Sequence, residues 1–239
     1  MTGTALWQVI AAALRGEIAS GAYRPGARLP SEADLARRFG VNRHTVRRAI
    51  AALAEAGEVR SRRGAGVFVV APRADYALGP RVRFHQNLLA SGRTPSRRFL
   101  RMETRAATDE EALALGLGHG APVHLVEGLS LADGDPVALF RSAFPAAGLS
   151  DLLTDLAVTL SVTEALRRGG VADYTRASTR VTAEPCDPVA AHHLGLEPGR
   201  PVLRTVAVNT DLAGRPVEYG ITLFAGDRVA LTIAGTEMR

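Results

Sequence analysis

The first 56 residues carry apolar side chains at the spacing of amphipathic helices. A first helix is predicted over residues 5–20, and its apolar face consists of Leu6, Val9, Ile10, Ala13, Leu14 and Ile18. Ser31 suits the N-cap of a second helix because Asp34 follows three residues later, and Gly40 stands where a left-handed C-terminal residue belongs. Asn42 suits the N-cap of a third helix that runs to residue 56, with an inward face formed by Val46, Ala49, Ile50 and Leu53. The pattern predicts the two short helices and tight turn of a helix-turn-helix, and the alternative is a solvated helical hairpin with incidental charge.

A β-hairpin is predicted directly after the third helix. Residues 58–61 and 67–70 have the composition of two strands, and residues 62–66 form the turn between them. Gly64 and Gly66 suit a turn that needs positive φ. The hairpin also carries three positive charges, from Arg60, Arg62 and Arg63. A basic hairpin in this position is typical of the wing of a winged helix, and it weakens the alternative of incidental charge.

An internal repeat organises the rest of the chain. Residues 115–117, 120–123, 134–137 and 144 recur at positions 194–196, 199–202, 214–217 and 224, an offset of 79 residues that becomes 80 after one insertion. The first copy predicts strand 97–105, a helix capped by Thr108 with Glu111 at N3, and strands 122–132 and 136–144. The second copy predicts strand 176–183, a helix with Asp187 at the N-cap and Pro188 at N1, and strands 201–210 and 216–224. Between the copies, Ser161 opens a further helix to about residue 168. The two copies predict an α+β domain with a six-stranded, mainly antiparallel sheet and helices packed on it.

Positive charge is concentrated in the N-terminal third of the chain. The 239 residues are enough for two modest domains, and their formal net charge is +5. Residues 1–72 hold eleven arginines against five acidic residues, whereas the remaining residues hold eighteen against nineteen. This asymmetry favours an anion-binding N-terminal module with nucleic acid as its partner. The lone Cys186 excludes an internal disulfide framework, and no apolar run approaches the ~20 residues of a membrane span, so a soluble cytoplasmic protein without membrane contact is expected.

Several motifs of the basic module resemble the winged-helix DNA-binding domain of the GntR family of transcription factors. They are residues 29–32 (Leu-Pro-Ser-Glu), residues 35–49 (Leu-Ala-Arg-Arg-Phe-Gly-Val-Asn-Arg-His-Thr-Val-Arg-Arg-Ala), and Gly57 before a glycine-rich wing. The wing departs from the family pattern, because Ala65 replaces a frequent arginine and Val67 replaces a threonine. The resemblance implies that double-stranded DNA is contacted by Ser31, Glu32, Arg38, Asn42, Arg43, His44, Thr45, Arg47, Arg48, Arg62, Arg63, Gly64 and Gly66.

The repeat-containing part resembles the UTRA ligand-sensing domain of the HutC branch of the GntR family, which has the fold of chorismate lyase. Short pieces around residues 81–88, 173–183 and 218–220 are similar to the phosphonate-metabolism (PhnF) type of regulator. The resemblance implies a winged helix-turn-helix DNA-binding domain at residues 1–70, a linker at residues 71–80, and a UTRA effector-binding and dimerisation domain at residues 81–239. A homodimer on a palindromic operator is therefore expected.

An anionic effector requires arginines and hydroxyl donors that converge on one site. The candidates on or near the predicted sheet are Arg83, Asn87, Arg141, Arg176, Ser178, Arg180, Glu218, Tyr219 and Thr222. Arg141 interrupts an apolar strand, and alternation places it opposite Phe140. Arg83, Arg141 and Arg176 are expected to form the ligand site, and the alternative for each is an edge arginine with a solvated head group.

Other features of the second domain limit which effectors and cofactors are expected. Gly128 and Ser130 stand where sugar-phosphate sensors of this family carry arginines, which leaves phosphate, a phosphonate or another small anion as the expected effector. The histidines lack the spacing of metal ligands, so neither a metal nor another cofactor is expected.

These features predict a ligand-responsive transcriptional regulator, most simply a repressor, whose operator affinity a small anion controls. The alternative is an enzyme that acts on a small anionic metabolite, by analogy with the chorismate-lyase fold, with Glu218 as its general acid or base. Against it, Cys186 is isolated and no serine lies in a Gly-x-Ser-x-Gly motif. RNA binding is a third possibility, disfavoured because the aromatic signature of RNA-recognition motifs is missing.

Overall fold

The computed structural model describes residues 5–62, 64–70, 73–79 and 84–233. The chain divides into two compact units, with the boundary between residues 72 and 73. Within the described ranges, no helix is both long enough and apolar enough to cross a membrane.

The N-terminal unit consists of three helices and a β-hairpin. In chain order these are α1 (Leu6–Ala19), α2 (Glu32–Phe39), α3 (Arg43–Glu55), β1 (Val59–Arg62) and β2 (Gly66–Val69), and the two strands pair antiparallel. The Ser31 side chain accepts a hydrogen bond from the backbone N–H of Asp34, and Asn42 caps α3 in the same way. Gly40 ends α2 in the left-handed conformation, with φ of 63°. The predicted helices, caps and hairpin are thus confirmed.

The apolar faces of the three helices form the core of this unit. Leu14, Leu35 and Leu53 are fully buried, one from each helix. Val59 and Val69 join the same core and anchor the base of the hairpin. Burying each leucine contributes roughly 1.5–3 kcal/mol. The apolar side of α3 is held by this packing, which leaves its polar side to solvent.

The C-terminal unit is built on a six-stranded antiparallel sheet with the strand order β4-β5-β6-β9-β8-β7. The strands are β4 (Pro95–Ala106), β5 (Pro122–Ala132), β6 (Asp135–Pro145), β7 (Tyr174–Pro185), β8 (Pro201–Asp211) and β9 (Pro216–Ala225). Each copy of the repeat supplies three neighbouring strands, and the two copies meet at the central pair β6–β9. The predicted sheet is confirmed, and its order is symmetric because two equal copies pair edge to edge.

Helices cover both faces of the sheet. They are α4 (Phe84–Ala90), α5 (Asp109–Leu115), α6 (Leu152–Thr159), α7 (Val162–Arg168) and α8 (Pro188–Leu194). The equivalent helices of the two copies, α5 and α8, pack on one face around Ala143 and Leu223. The intervening α6 and α7 pack on the opposite face around Phe140 and Phe144, and α4 covers another part of that face beside Phe224.

A short strand occupies part of the predicted linker. Within the predicted linker, residues 71–80, β3 (Ala74–Ala77) pairs in parallel with β10 (Val229–Thr232). Tyr76 is buried against Phe84 and Phe224, with ring centroids 6.2 and 5.0 Å away. Local composition does not predict this strand, because its partner β10 and the ring of Phe224 are distant in the chain.

Candidate DNA-binding surface and effector site

The N-terminal end of α3 presents polar side chains to solvent. Arg43 and His44 are exposed, and Thr45 is half-buried beside the cap. The Asn42 Oδ1 atom accepts hydrogen bonds of 2.9 Å from both the backbone N–H and the hydroxyl of Thr45. The cap therefore fixes the first turn of α3, the part of a helix-turn-helix that enters the major groove.

Arg47 and Glu32, both expected at the DNA interface, contact each other. The Arg47 Nε and Nη2 atoms donate to the two carboxylate oxygens of Glu32 at 3.1 and 2.7 Å. These hydrogen bonds lower the pKa of Glu32. The pair connects the start of α2 to the exposed side of α3, and it holds the Arg47 guanidinium in one orientation.

Two further arginines of the expected DNA-binding set have partners inside the N-terminal unit. Arg38 donates to the carboxylate of Glu17 on α1 and to the hydroxyl of Tyr23. The Arg48 guanidinium lies 4.8 Å from the centroid of the Trp7 ring, also on α1. Arg38 and Arg48 thus connect the two helices of the motif to α1, a role that the sequence pattern did not predict.

The start of α2 and the tip of the wing complete the expected surface. The Ser31 hydroxyl donates to Asp34 at 2.5 Å while capping α2. Gly64 and Gly66 both have positive φ, 75° and 112°, as the turn requires. A Cβ at Gly66 would lie 2.7 Å from the Arg28 Nε atom, so glycine also gives this arginine room. Arg63 lies outside the described residues, as does the side chain of Arg62.

The C-terminal unit contains a cavity of about 670 Å³. Its floor is the sheet face that bears Phe140, Ser142 and Glu218, which we call the cavity face. Its walls include Tyr76 of β3 and Phe84 of α4. Hydroxyl groups also line it, from Ser96, Ser130, Thr159, Ser161, Thr163 and Thr222.

A chain of hydrogen bonds crosses the cavity face. The Arg176 Nε atom donates to Asn209 Oδ1 at 2.8 Å, and the Asn209 amide donates to Glu218 Oε2 at 2.6 Å. The Ser142 hydroxyl donates to Glu218 Oε1 at 2.6 Å, and Arg176 also reaches the Thr179 hydroxyl at 3.3 Å. The Glu218 carboxylate thereby joins β6, β9 and β8, and the Asn209 side chain extends this connection to the edge strand β7.

Arg97 also lines the cavity, although the sequence pattern did not predict it. It lines the cavity from β4, with its guanidinium 5.4 Å from the Phe140 ring centroid and 5.8 Å from that of Phe84. Burial lowers the pKa of Arg97. Within the described part of the chain it forms no ion pair, so its charge is held in the cavity by aromatic rings. The predicted strand begins at Arg97-Arg98, and alternation alone does not say which of the two faces the ligand.

Arg141 does not belong to this cavity. It lies opposite Phe140, as predicted, but that is the face covered by α5 and α8. Its guanidinium is 3.7 Å from Glu111 and 3.6 Å from Glu127. The expectation that Arg141 joins Arg176 in one ligand site is therefore wrong, because Arg141 is on the other face of the sheet, beside carboxylates of α5 and β5. Arg83 lies outside the described residues.

A β-bulge separates the candidates on β7. The register shifts between Arg176, which pairs with Asn209, and Ser178, which pairs with Val208. Without the bulge, Arg176, Ser178 and Arg180 would share a face. With it, Arg176 lines the cavity while Ser178 and Arg180 are exposed on the opposite face.

The remaining candidate effector-binding residues also divide into those that line the cavity and those that do not. Glu218 and Thr222 line the cavity. Tyr219 is on the opposite face, where its hydroxyl donates to Glu110 at 2.5 Å and burial raises its pKa to about 12. Asn87 is outside the cavity lining and donates to the backbone carbonyl of Ala77 at 3.2 Å. Tyr219 and Asn87 are thus outside the cavity, contrary to expectation.

Gly128 explains why no arginine stands on this part of β5. A Cβ at residue 128 would lie 2.7 Å from the backbone oxygen of Arg98 and 2.8 Å from the Phe140 ring. The ring on which Arg97 rests therefore occupies the space that a side chain at residue 128 would need.

Comparison with known proteins identifies a family model for each of the two units. Residues 6–69 match the family model described as bacterial regulatory proteins, gntR family, and residues 90–230 match the UTRA domain. The chain belongs to the GntR family. It is a transcriptional regulator with a helix-turn-helix DNA-binding domain and a UTRA effector domain, of the HutC type.

Relatives over nearly the whole length support this assignment. An uncharacterized HTH-type transcriptional regulator of Rhizobium meliloti is 40% identical over 97% of this chain and 95% of its own. The Escherichia coli protein named "Probable transcriptional regulator PhnF" is 34% identical over 95% of this chain and 94% of its own. The crystal structure of PhnF from Mycobacterium smegmatis superposes with a TM-score of 0.68 at 27% identity, covering 96% of this chain and all of that one. These relatives are regulators, which favours a regulator over the enzyme alternative.

Proposed function

We propose that this GntR-family regulator binds a small anion in the cavity of its UTRA domain and that the anion changes its affinity for operator DNA. The observation that carries the proposal is Arg97, a cavity-lining guanidinium that rests on Phe84 and Phe140 and has no ion pair within the described residues. A half-buried charge that forms no ion pair is costly, and a bound anion would offset that cost.

The composition of the cavity favours phosphate or a phosphonate as the anion. Arg97 and Arg176 place two positive charges against the single carboxylate of Glu218, and hydroxyl groups surround them. Guanidinium groups and hydroxyls are the donors that recognise phosphate-like oxygens. The packing of Phe140 against Gly128 leaves no room for an arginine at residue 128, and Ser130 occupies the other position on β5, which disfavours a sugar phosphate.

On DNA, we propose a cytoplasmic homodimer that represses transcription from a palindromic operator. The exposed first turn of α3 would read bases in the major groove, with Arg43, Thr45 and Arg47 as the principal contacts. The Ser31-capped end of α2 and the glycines of the wing would lie along the phosphates. The anion would release the operator by binding better to the state that binds DNA less well.

A titration of matched variants tests the anion site. Calorimetry with inorganic phosphate, methylphosphonate and glucose 6-phosphate would be run on the full chain, on Arg97→Gln and on the control Arg98→Gln. Arg98 is the exposed neighbour on the same strand, and it pairs with Leu129 on the face away from the cavity. We expect Arg97→Gln to weaken binding of the best anion on the order of tenfold or more, because a charged hydrogen-bond donor is lost, and Arg98→Gln to leave it unchanged.

Footprinting of the operator with and without that anion then tests the response of DNA binding. Equal affinity of the two variants for the anion, or a footprint that the anion does not alter, would contradict the proposed function.

A further inference from the structure

Glu218 presents a carboxylate to the same cavity that holds the two arginines. Its two oxygens accept hydrogen bonds of 2.6 Å from Ser142 and Asn209, both of which are neutral and buried. No cation within the described residues forms an ion pair with it, and Arg176 donates to Asn209 instead.

The arrangement leaves Glu218 able to accept another hydrogen bond. A carboxylate has about four lone-pair positions, and the two neutral donors occupy two of them. A half-buried carboxylate is best compensated by a positive partner, because neutral donors do not cancel its charge. The same negative charge would also repel a simple anion bound beside Arg97.

A ligand that carries its own positive charge resolves both problems. We propose that the effector is a zwitterion, with a phosphonate-like or carboxylate head bound by Arg97 and a primary ammonium bound by Glu218. Ser142 and Asn209 hold the Glu218 carboxylate in place from two neighbouring strands, β6 and β8. This inference rests on the proposed function, since it adds a second recognition element to the same anion site.

A purely structural role for Glu218 makes a different prediction. Its bonds to Ser142 and Asn209 also tie together the central strands of the sheet. If that were its whole role, replacing it would weaken all ligands equally through loss of cavity shape. The ammonium role instead predicts a change in selectivity between ligands that differ only in their amine.

The test uses two matched pairs of probes. 2-Aminoethylphosphonate and propylphosphonate differ by exchange of an ammonium for a methyl group, as do 3-aminopropanoate and butanoate. Calorimetric dissociation constants would be measured at neutral pH for the full chain, for Glu218→Gln and for the control Glu110→Gln. Glu110 is a carboxylate of α5 that contacts the neighbouring Tyr219 on the opposite face of the sheet.

In the unsubstituted protein we expect the amine-bearing member of at least one pair to bind on the order of tenfold more tightly than its methyl analogue. Glu218→Gln should abolish that preference while binding the methyl analogue at least as tightly as before, because the repelling charge is gone, and Glu110→Gln should keep the preference. Circular dichroism melts would confirm that both variants are folded.

Three results would contradict the proposal that the effector is a zwitterion. They are equal or tighter binding of the methyl analogues by the unsubstituted protein, an unchanged preference in Glu218→Gln, and failure of both amine-bearing probes to bind at millimolar concentration. The proposed function survives these results if inorganic phosphate or methylphosphonate still binds in an Arg97-dependent manner. It fails separately if no anion does.

Discussion

Single residues of the N-terminal unit show that the DNA-binding surface is ordered before DNA arrives. Arg47 is expected to contact bases, yet it already donates two hydrogen bonds to Glu32. A carboxylate beside a DNA-binding surface opposes phosphate binding in general, because like charges repel. A carboxylate at Glu32 is nevertheless favourable if it orients the guanidinium for one pattern of bases, at some cost in overall attraction for DNA.

Glu32→Gln tests this positioning role. We expect affinity for the operator to fall while affinity for unrelated DNA stays equal or rises, so that the specificity ratio drops by up to about fivefold, the value of an exposed ion pair. Fluorescence anisotropy on both DNAs would measure the ratio, with Glu55→Gln, at the far end of α3, as the charge-matched control. A parallel loss on both DNAs would show that Glu32 is not selective.

Gly128 makes room for the Phe140 ring, which lines the cavity. Gly128→Ala would place a methyl group against the Phe140 ring and the Arg98 carbonyl, and we expect a loss of roughly 1–3 kcal/mol in the free energy of unfolding. The displaced ring would also weaken anion binding, since Arg97 rests on it. Urea unfolding measures the first effect. Gly118→Ala is the control, because an added Cβ there meets no atom within 4 Å, and it should leave the free energy of unfolding and anion binding unchanged.

At the scale of elements, α5 is fastened to the sheet by a buried ion pair. Glu111 is 4% exposed and accepts two hydrogen bonds of 2.7 Å from Arg105 of β4. The same carboxylate accepts from the backbone N–H of Thr108 and completes the capping box. One side chain therefore fixes both the start of the helix and its attachment.

This attachment predicts a pH dependence of stability. The hydrogen bonds from Arg105 lower the pKa of Glu111 below that of the unfolded chain. Its stabilisation is therefore fully present above a pH of roughly 4 and is lost as the pH falls through the lowered value. Glu111→Gln should be less stable than the unsubstituted protein at pH 7, by roughly 1–3 kcal/mol, with the gap closing as the pH approaches 3. Thermal melts across this range measure the gap, and a gap independent of pH would exclude the ion pair as its source.

For the whole molecule, the proposed switch couples two compact units through one chain. β3 begins at Ala74, directly after the boundary between the units, and Tyr76 of this strand lines the cavity. The segment that follows the DNA-binding unit is thus part of the proposed ligand site. A ligand that makes β3 more or less ordered would therefore act on the segment of the chain that follows the DNA-binding unit.

Linkage makes this coupling measurable from either end. If the anion weakens operator binding by a given factor, saturating operator must weaken anion binding by the same factor, typically about 5- to 150-fold. Calorimetric titration of the anion into free protein and into the protein–operator complex measures the second factor. Unequal factors would indicate that the anion acts at a second site.

Much of the fold follows from local sequence. Ser31, Asn42, Thr108 and Asp187 cap their helices as their spacing predicts, because a cap is a contact between residues two or three positions apart. The 79-residue repeat predicts the six-stranded sheet for a similar reason, since two copies with short connections have few ways to pair.

The proposed ligand site depends on contacts that no short stretch contains. The bulge after Arg176 reverses the alternation of β7, so Arg180 faces away from the cavity although the spacing suggests otherwise. Arg141 and Arg97 lie on opposite faces of the sheet, where Glu111 of α5 is near Arg141 and Phe84 of α4 contacts Arg97. The helices, strands and caps follow from the amino-acid sequence alone, because they depend on residues that are close in the chain, and the repeat can be found by comparing its two copies. Which arginines face the cavity follows only from the folded chain, because strand register and packing between distant segments set it.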